Sequence, residues 1–142
     1  MPIAIVVTAT VFNAVNGTLN GFALSWIEPA PATLAVGLVV WTMGLGVNLH
    51  SDAILRRLRT AESDEYSVPE GGLFRWVSSP NYLGEIVEWA GFALAAWNVA
   101  ALSFAVWTAA NLVPRALANH RWYLERFGDY PADRKALLPV VL

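Results

Sequence analysis

Residues 89–114, from Trp89 to Pro114, read WAGFALAAWNVAALSFAVWTAANLVP without one charged side chain. A spanning helix needs roughly 20 mostly apolar residues, so this stretch reads as membrane-embedded. Asn98 beside Trp97 marks a turn between two helices. Outward from it, residues 29–51 and 1–27 are also free of charged side chains. The reading is an all-α integral membrane protein, a bundle of about four transmembrane helices, with spans near 2–26, 33–50, 81–97 and 99–118. A cytoplasmic loop, 51–79, with a short helix at its start and a Gly-Gly turn after Pro69, and a cytoplasmic tail, 119–142, complete a single membrane domain over 1–142.

Composition supports this assignment. The 142 residues are 56% hydrophobic and 14% charged, where a soluble domain carries about 25% charged residues. Nine basic against eleven acidic side chains give a net charge of -2, which leaves no broad basic surface for a nucleic-acid backbone. With no cysteine, disulfides, thiolate metal sites and Cys nucleophiles are excluded. The apolar start, Met1 to Val7, has neither the basic region nor the cleavage site of a secretory signal and reads as a retained span.

All nine cations fall in the 51–79 loop or after Pro114. The positive-inside rule then places that loop and the C-terminus in the cytoplasm, with Trp26 and Trp97 at the opposite interface. The membrane is the endoplasmic reticulum in a eukaryote or the inner membrane in a bacterium.

Polar residues inside the spans form stripes. Asn13, Asn16, Gly17 and Asn20 share one face of the first helix, readable either as helix packing or as ligand contact. Gly37 and Gly44 share one face of the second. Asn81, Glu85 and Glu88 line one face of the third, and Phe104, Trp107, Asn111 and Arg115 one face of the fourth. Ionisable groups at bilayer depth cost roughly 3 kcal/mol or more, so Glu85, Glu88 and Arg115 are either a structural ion pair or a site. Arg56, Arg59, Arg115, Arg121, Arg134 and Lys135 gather on the cytoplasmic side, and guanidinium forks suit phosphate. His50 and His120 lack metal-ligand spacing, so no metal site is expected. Gly44 and Gly46 lack the strand and third glycine of a Rossmann fingerprint.

Several motifs follow in order: the run Gly46 to Arg59 with Asn48, His50 and Asp52; Val68-Pro69-Glu70-Gly71-Gly72-Leu73-Phe74; Pro80-Asn81-Tyr82-Leu83-Gly84-Glu85 through Glu88-Trp89; Pro114-Arg115-Ala116; and His120-Arg121-Trp122-Tyr123 through Tyr130-Pro131 to Arg134-Lys135-Ala136-Leu137. Together they resemble the steroid 5α-reductase family, also called 3-oxo-5α-steroid 4-dehydrogenase. The resemblance implies the C-terminal part of a seven-span membrane fold. It also implies a reductase that passes hydride from NADPH to the carbon–carbon double bond of a 3-oxo-4-ene steroid or similar enone lipid.

Carried over by position, Asn48, Asp52, Arg59, Asn81, Arg115, Tyr123 and Arg134 look like cofactor contacts, and Glu85 a contact near the nicotinamide end. Trp89, Phe104 and Trp107 look like substrate-lining residues. Asn119 departs from the pattern, standing where a histidine is expected. The acid and tyrosine that polarise the substrate carbonyl belong, in this family, to an upstream part not matched here. The chain therefore reads as the cofactor-binding part, with a missing N-terminal part or an oligomer to complete it. Pro80-Asn81-Tyr82-Leu83-Gly84 also fits an isoprenylcysteine-type membrane methyltransferase loosely, and a non-catalytic membrane protein that keeps the fold is a third reading.

Overall fold

A computed structural model describes residues 3–60 and 67–139, except the side chains of Ala9, Arg59 and Thr60. Four α-helices follow in order: α1 (Ile3–Leu24), α2 (Pro31–Thr60), α3 (Pro80–Ala96) and α4 (Val99–Arg126), with a single 3-10 turn over Gly72–Arg75 before α3. Three of them, α1, α2 and α4, are long and apolar enough to cross a membrane. The 17 residues of α3 rise only about 26 Å, short of the roughly 30 Å hydrocarbon core.

Two helices outrun the spans expected from hydropathy. Past His50, α2 continues unbroken to Thr60, because Ala53 to Leu58 contains good helix formers and no glycine or proline. The 51–79 loop therefore begins as helix, as expected, but as the continuation of α2 and not as a separate short helix. Likewise α4 passes through Pro114 and reaches Arg126, so the start of the expected tail is helical. A proline removes one backbone donor but does not stop a membrane helix whose neighbours hold it in place.

The bundle is organised around the α2–α3 pair, with α4 packed on α3 and α1 resting mainly on α4. α2 and α3 touch backbone to backbone. A Cβ on Gly37 would collide with the Ala95 backbone, one on Gly91 with Trp41, one on Gly44 with Glu88, and one on Gly84 with Asn48. The glycines lie seven residues apart on each helix and interleave antiparallel. Small residues allow this approach, which replaces the hydrophobic driving force absent in lipid with close packing. Hydropathy reading finds Gly37 and Gly44 on α2 but not Gly84 and Gly91, the glycines that α3 contributes to the same seam.

On α1, Asn20 is buried and its amide donates to the carbonyl and the Oδ1 of Asn16, both at 3.0 Å. Gly17 has nothing within 4 Å, so this glycine of the stripe serves no close approach. Between α3 and α4, Trp97 adopts a left-handed conformation (φ 50°, ψ 41°) and its N–H donates to Ala93 O. Asn98 then caps α4, its Oδ1 accepting from the Ala101 N–H at 2.9 Å, so the reversal takes two residues.

At the other end of α3 the tail returns. Val77 and Lys135 form a parallel bridge: Ser78 N donates to Lys135 O at 2.8 Å, Lys135 N to Trp76 O at 3.0 Å and Ser79 N to Ala136 O at 3.1 Å. Phe74, Val77, Tyr130, Ala136 and Leu137 are buried here. This small core fixes the start of α3 and the end of α4 against each other.

Candidate functional site

The site is built where polar residues in the C-terminal halves of α2 and α4 meet the start of α3. Asn48 and Asp52 stand one turn apart on α2, and Asn81 and Glu85 one turn apart on α3. The missing Cβ of Gly84 brings the two pairs together, and the Asn48 amide donates to the Asn81 carbonyl at 3.3 Å. Glu85 lies within electrostatic reach of both Asp52 on α2 and Arg115 on α4. Asn48, Asp52, Asn81 and Glu85 are half-buried and Arg115 is exposed. Three helices thus contribute two amides, two carboxylates and a guanidinium to one neighbourhood.

Beside it opens a polar cleft of about 520 Å³, lined by Leu55, Phe74, Ser78, Ser79, Asn81, Tyr82, Asn119, Trp122 and Tyr123. That volume lies within the range of small-molecule sites. Arg115, Asn119 and Tyr123 succeed one another at four residues on α4, which puts the guanidinium on the helical face that borders the cleft. The Ser79 hydroxyl, buried at the wall of the cleft, has no hydrogen-bond partner among the described residues.

Two expected contacts stand apart. The Arg59 side chain lies outside the described residues. Arg134 is buried, donates from a terminal guanidinium nitrogen to Pro69 O at 3.0 Å and covers the Tyr130 ring at 5.2 Å. It ties the 67–79 segment to the tail and does not line the cleft.

Deeper along the same helices, Trp89 meets Phe104 edge-on at 4.4 Å and Phe104 stacks near Trp107 at 5.9 Å. Phe12 of α1 joins them, 4.5 Å from Trp107 and 5.8 Å from Phe104. Trp107 precedes Arg115 by two turns, about 12 Å along α4, so an aromatic zone adjoins a charged one. Reading the stripes separately did not find Phe12, whose role depends on where α1 rests. Ser78, Ser79 and Trp122 were also missed as lining groups: Ser78-Ser79-Pro80 signals a helix start, and nothing in that signal predicts a cleft wall.

A larger cavity of about 640 Å³ flanks the α3–α4 turn, bounded by Ile86, Ala90, Leu94, Leu102 and Val106 among others. Its lining is almost entirely apolar, so it lacks the donors and acceptors that would orient a reacting group. Among the described residues no group of three or more His, Asp or Glu side chains could hold a metal ion.

Comparison with known proteins bears on the family. The family described as 3-oxo-5-alpha-steroid 4-dehydrogenase matches residues 1–142. The chain is 44% identical over 150 residues to steroid 5-alpha-reductase DET2 of Solanum lycopersicum, covering 97% of this chain and 56% of the relative. It is 42% identical over 146 residues to 3-oxo-5-alpha-steroid 4-dehydrogenase 2 of Homo sapiens, covering 99% and 58%. With 3-oxo-5-alpha-steroid 4-dehydrogenase 1 of Rattus norvegicus it shares 50% over 121 residues, covering 85% and 46%. The chain therefore spans about half the length of these relatives.

Proposed function

The chain belongs to the 3-oxo-5-alpha-steroid 4-dehydrogenase family, and from that premise we propose that it is the NADPH-binding part of a membrane reductase. The reaction we assign is reduction of the carbon–carbon double bond of a 3-oxo-4-ene steroid or similar enone lipid. The observation that carries this reading is the convergence of Asn48, Asp52, Asn81, Glu85 and Arg115 from three helices beside a polar cleft.

The donor set suits a pyridine dinucleotide. Arg115 supplies the cation for phosphate. Asn48, Asn81 and Asn119 offer amides, and Asp52 and Glu85 accept from ribose hydroxyls or a carboxamide N–H. Tyr123 and the Ser79 hydroxyl, unpartnered among the described residues, add polar groups at the wall. When bound, NADPH supplies the hydride. The chain's own residues bind and orient: Glu85 sits on the aromatic side of the charged cluster, and Trp89, Phe104 and Trp107 offer a flat apolar slot one to three turns away. Arg134 acts at one remove, by holding the tail. The cleft faces the cytoplasm, where the cations of the 51–79 loop and the tail gather.

Titration of the purified chain in detergent micelles with NADPH, followed by nicotinamide fluorescence, tests this reading. Saturable binding displaced by NADP⁺ but not by S-adenosylmethionine is the expected result. Absence of saturable binding, or preference for S-adenosylmethionine, overturns it.

A further inference from the structure

We infer that Tyr130 is a positioning residue whose ring holds Tyr123 at the polar cleft, and that Ser78 fixes Tyr130 in turn; the use of this device in nucleotide binding rests on the cofactor reading above.

Tyr123 lies in the last turn of α4, which ends at Arg126. Helix ends fray, and a side chain there has no following turn to brace it. The Tyr123 ring meets Trp122 edge-on at 5.2 Å and Phe127 at 6.0 Å, and the returning tail adds a stacked partner. Phe127 N donates to Tyr123 O at 3.0 Å and Tyr130 N to Phe127 O at 3.2 Å, a reversal that lays the Tyr130 ring on that of Tyr123. Their centroids are 5.2 Å apart and their planes 10° from parallel. Both residues are buried, at 9% and 7% exposure. Arg134 covers the Tyr130 ring at 5.2 Å, so guanidinium and two phenol rings belong to one aromatic assembly.

The Tyr130 hydroxyl is also anchored. It lies 2.7 Å from Ser78 Oγ, which is 2.6 Å from His120 Nδ1 and 3.1 Å from Lys135 O. One assignment satisfies all three contacts: Tyr130 O–H and His120 Nδ1–H donate to Ser78 Oγ, and Ser78 O–H donates to the Lys135 carbonyl. Ser78 is itself buried and lines the cleft. These contacts engage its hydroxyl fully, so Ser78 and His120 form a structural clip and not a poised nucleophile with its base. The clip joins the entry to α3, the end of α4 and the tail around the residue that presents Tyr123.

The test uses the full chain in micelles with NADPH as the probe. An aromatic pair contributes enough that Tyr130→Leu should weaken NADPH binding roughly tenfold, while Tyr130→Phe, which keeps the ring but loses the hydroxyl held by Ser78, should weaken it about threefold; unchanged binding in Tyr130→Phe overturns the role of Ser78. If Tyr130 acts through Tyr123, then Tyr123→Leu and the double variant Tyr123→Leu/Tyr130→Leu bind NADPH equally; additive losses overturn the inference. Tyr130→Met, similar in volume and unable to stack, replaces Tyr130→Leu if the latter does not accumulate as helical protein.

A second readout needs no cofactor. In chain labelled with 3-fluorotyrosine, the ¹⁹F signal assigned to Tyr123 by its loss in Tyr123→Phe should shift and broaden in Tyr130→Leu or Tyr130→Met, and broaden to a lesser extent in Tyr130→Phe, which keeps the ring without its anchor. An unchanged Tyr123 signal in the leucine or methionine variant overturns the positioning role. Failure of the unmodified chain to bind NADPH would instead overturn the cofactor reading, with the fluorine signal still deciding whether Tyr130 positions Tyr123.

Discussion

Gly84 on α3 lies so close to Asn48 on α2 that a Cβ on the glycine would stand 2.5 Å from the Asn48 backbone nitrogen. The same approach allows the Asn48 amide to reach the Asn81 carbonyl at 3.3 Å. One missing methyl thus serves helix packing and site assembly at once.

Gly84→Ala should therefore destabilise the chain by about 1–3 kcal/mol, because the obstructing atoms are backbone and cannot rotate away. Gly46, on the same α2 helix but with nothing within 4 Å, provides the comparison: Gly46→Ala should be neutral or raise stability by up to about 1 kcal/mol through helix propensity. Thermal unfolding in detergent, followed by circular dichroism, separates the two. Equal midpoints would contradict the backbone contact.

Arg115 is the cation that α4 brings toward Glu85. Charge-assisted hydrogen bonds contribute about 1.5–3 kcal/mol, so Arg115→Met should weaken NADPH binding by roughly ten- to a hundredfold. Arg115→Lys should recover only part, since an ammonium lacks the planar fork. Isothermal titration of both variants measures this, and an unchanged affinity in Arg115→Met would remove Arg115 from the site.

The aromatic zone makes a separable prediction. Trp107 contacts Phe104 and Phe12 and lies about 12 Å along α4 from Arg115. Trp107→Ala should lower retention of a radiolabelled 4-ene-3-oxosteroid by about tenfold or more while NADPH affinity changes less than about twofold. Parallel loss of both ligands would show that the zones are not distinct.

Asn98 offers a local test of the α3–α4 turn. Its Oδ1 accepts from Ala101 N–H at 2.9 Å, so Asn98→Ala should cost about 1 kcal/mol and Asn98→Asp or Asn98→Ser should restore most of it. Unfolding midpoints of the three variants check the cap. If alanine and aspartate behave alike, the side-chain bond does not support α4.

Much of this architecture is legible in the chain itself. Long uncharged stretches force helices in a bilayer, because unpaired backbone groups have no water to meet, so the hydropathy of residues 1–27, 29–51 and 89–114 requires an all-α membrane protein. The four-residue steps from Asn48 to Asp52 and from Asn81 to Glu85 likewise place each pair on one helical face, whatever lies opposite. Sequence alone does not say which faces meet. That was decided by tertiary contact: the interleaved glycines set the register of α2 on α3, and the resting place of α1 recruits Phe12. The tail's return along Val77 buries Arg134 and lays Tyr130 on Tyr123. Local periodicity fixes the direction of a side chain from its own helix axis, whereas its partner depends on interhelical distance and register, which arise only when the helices pack.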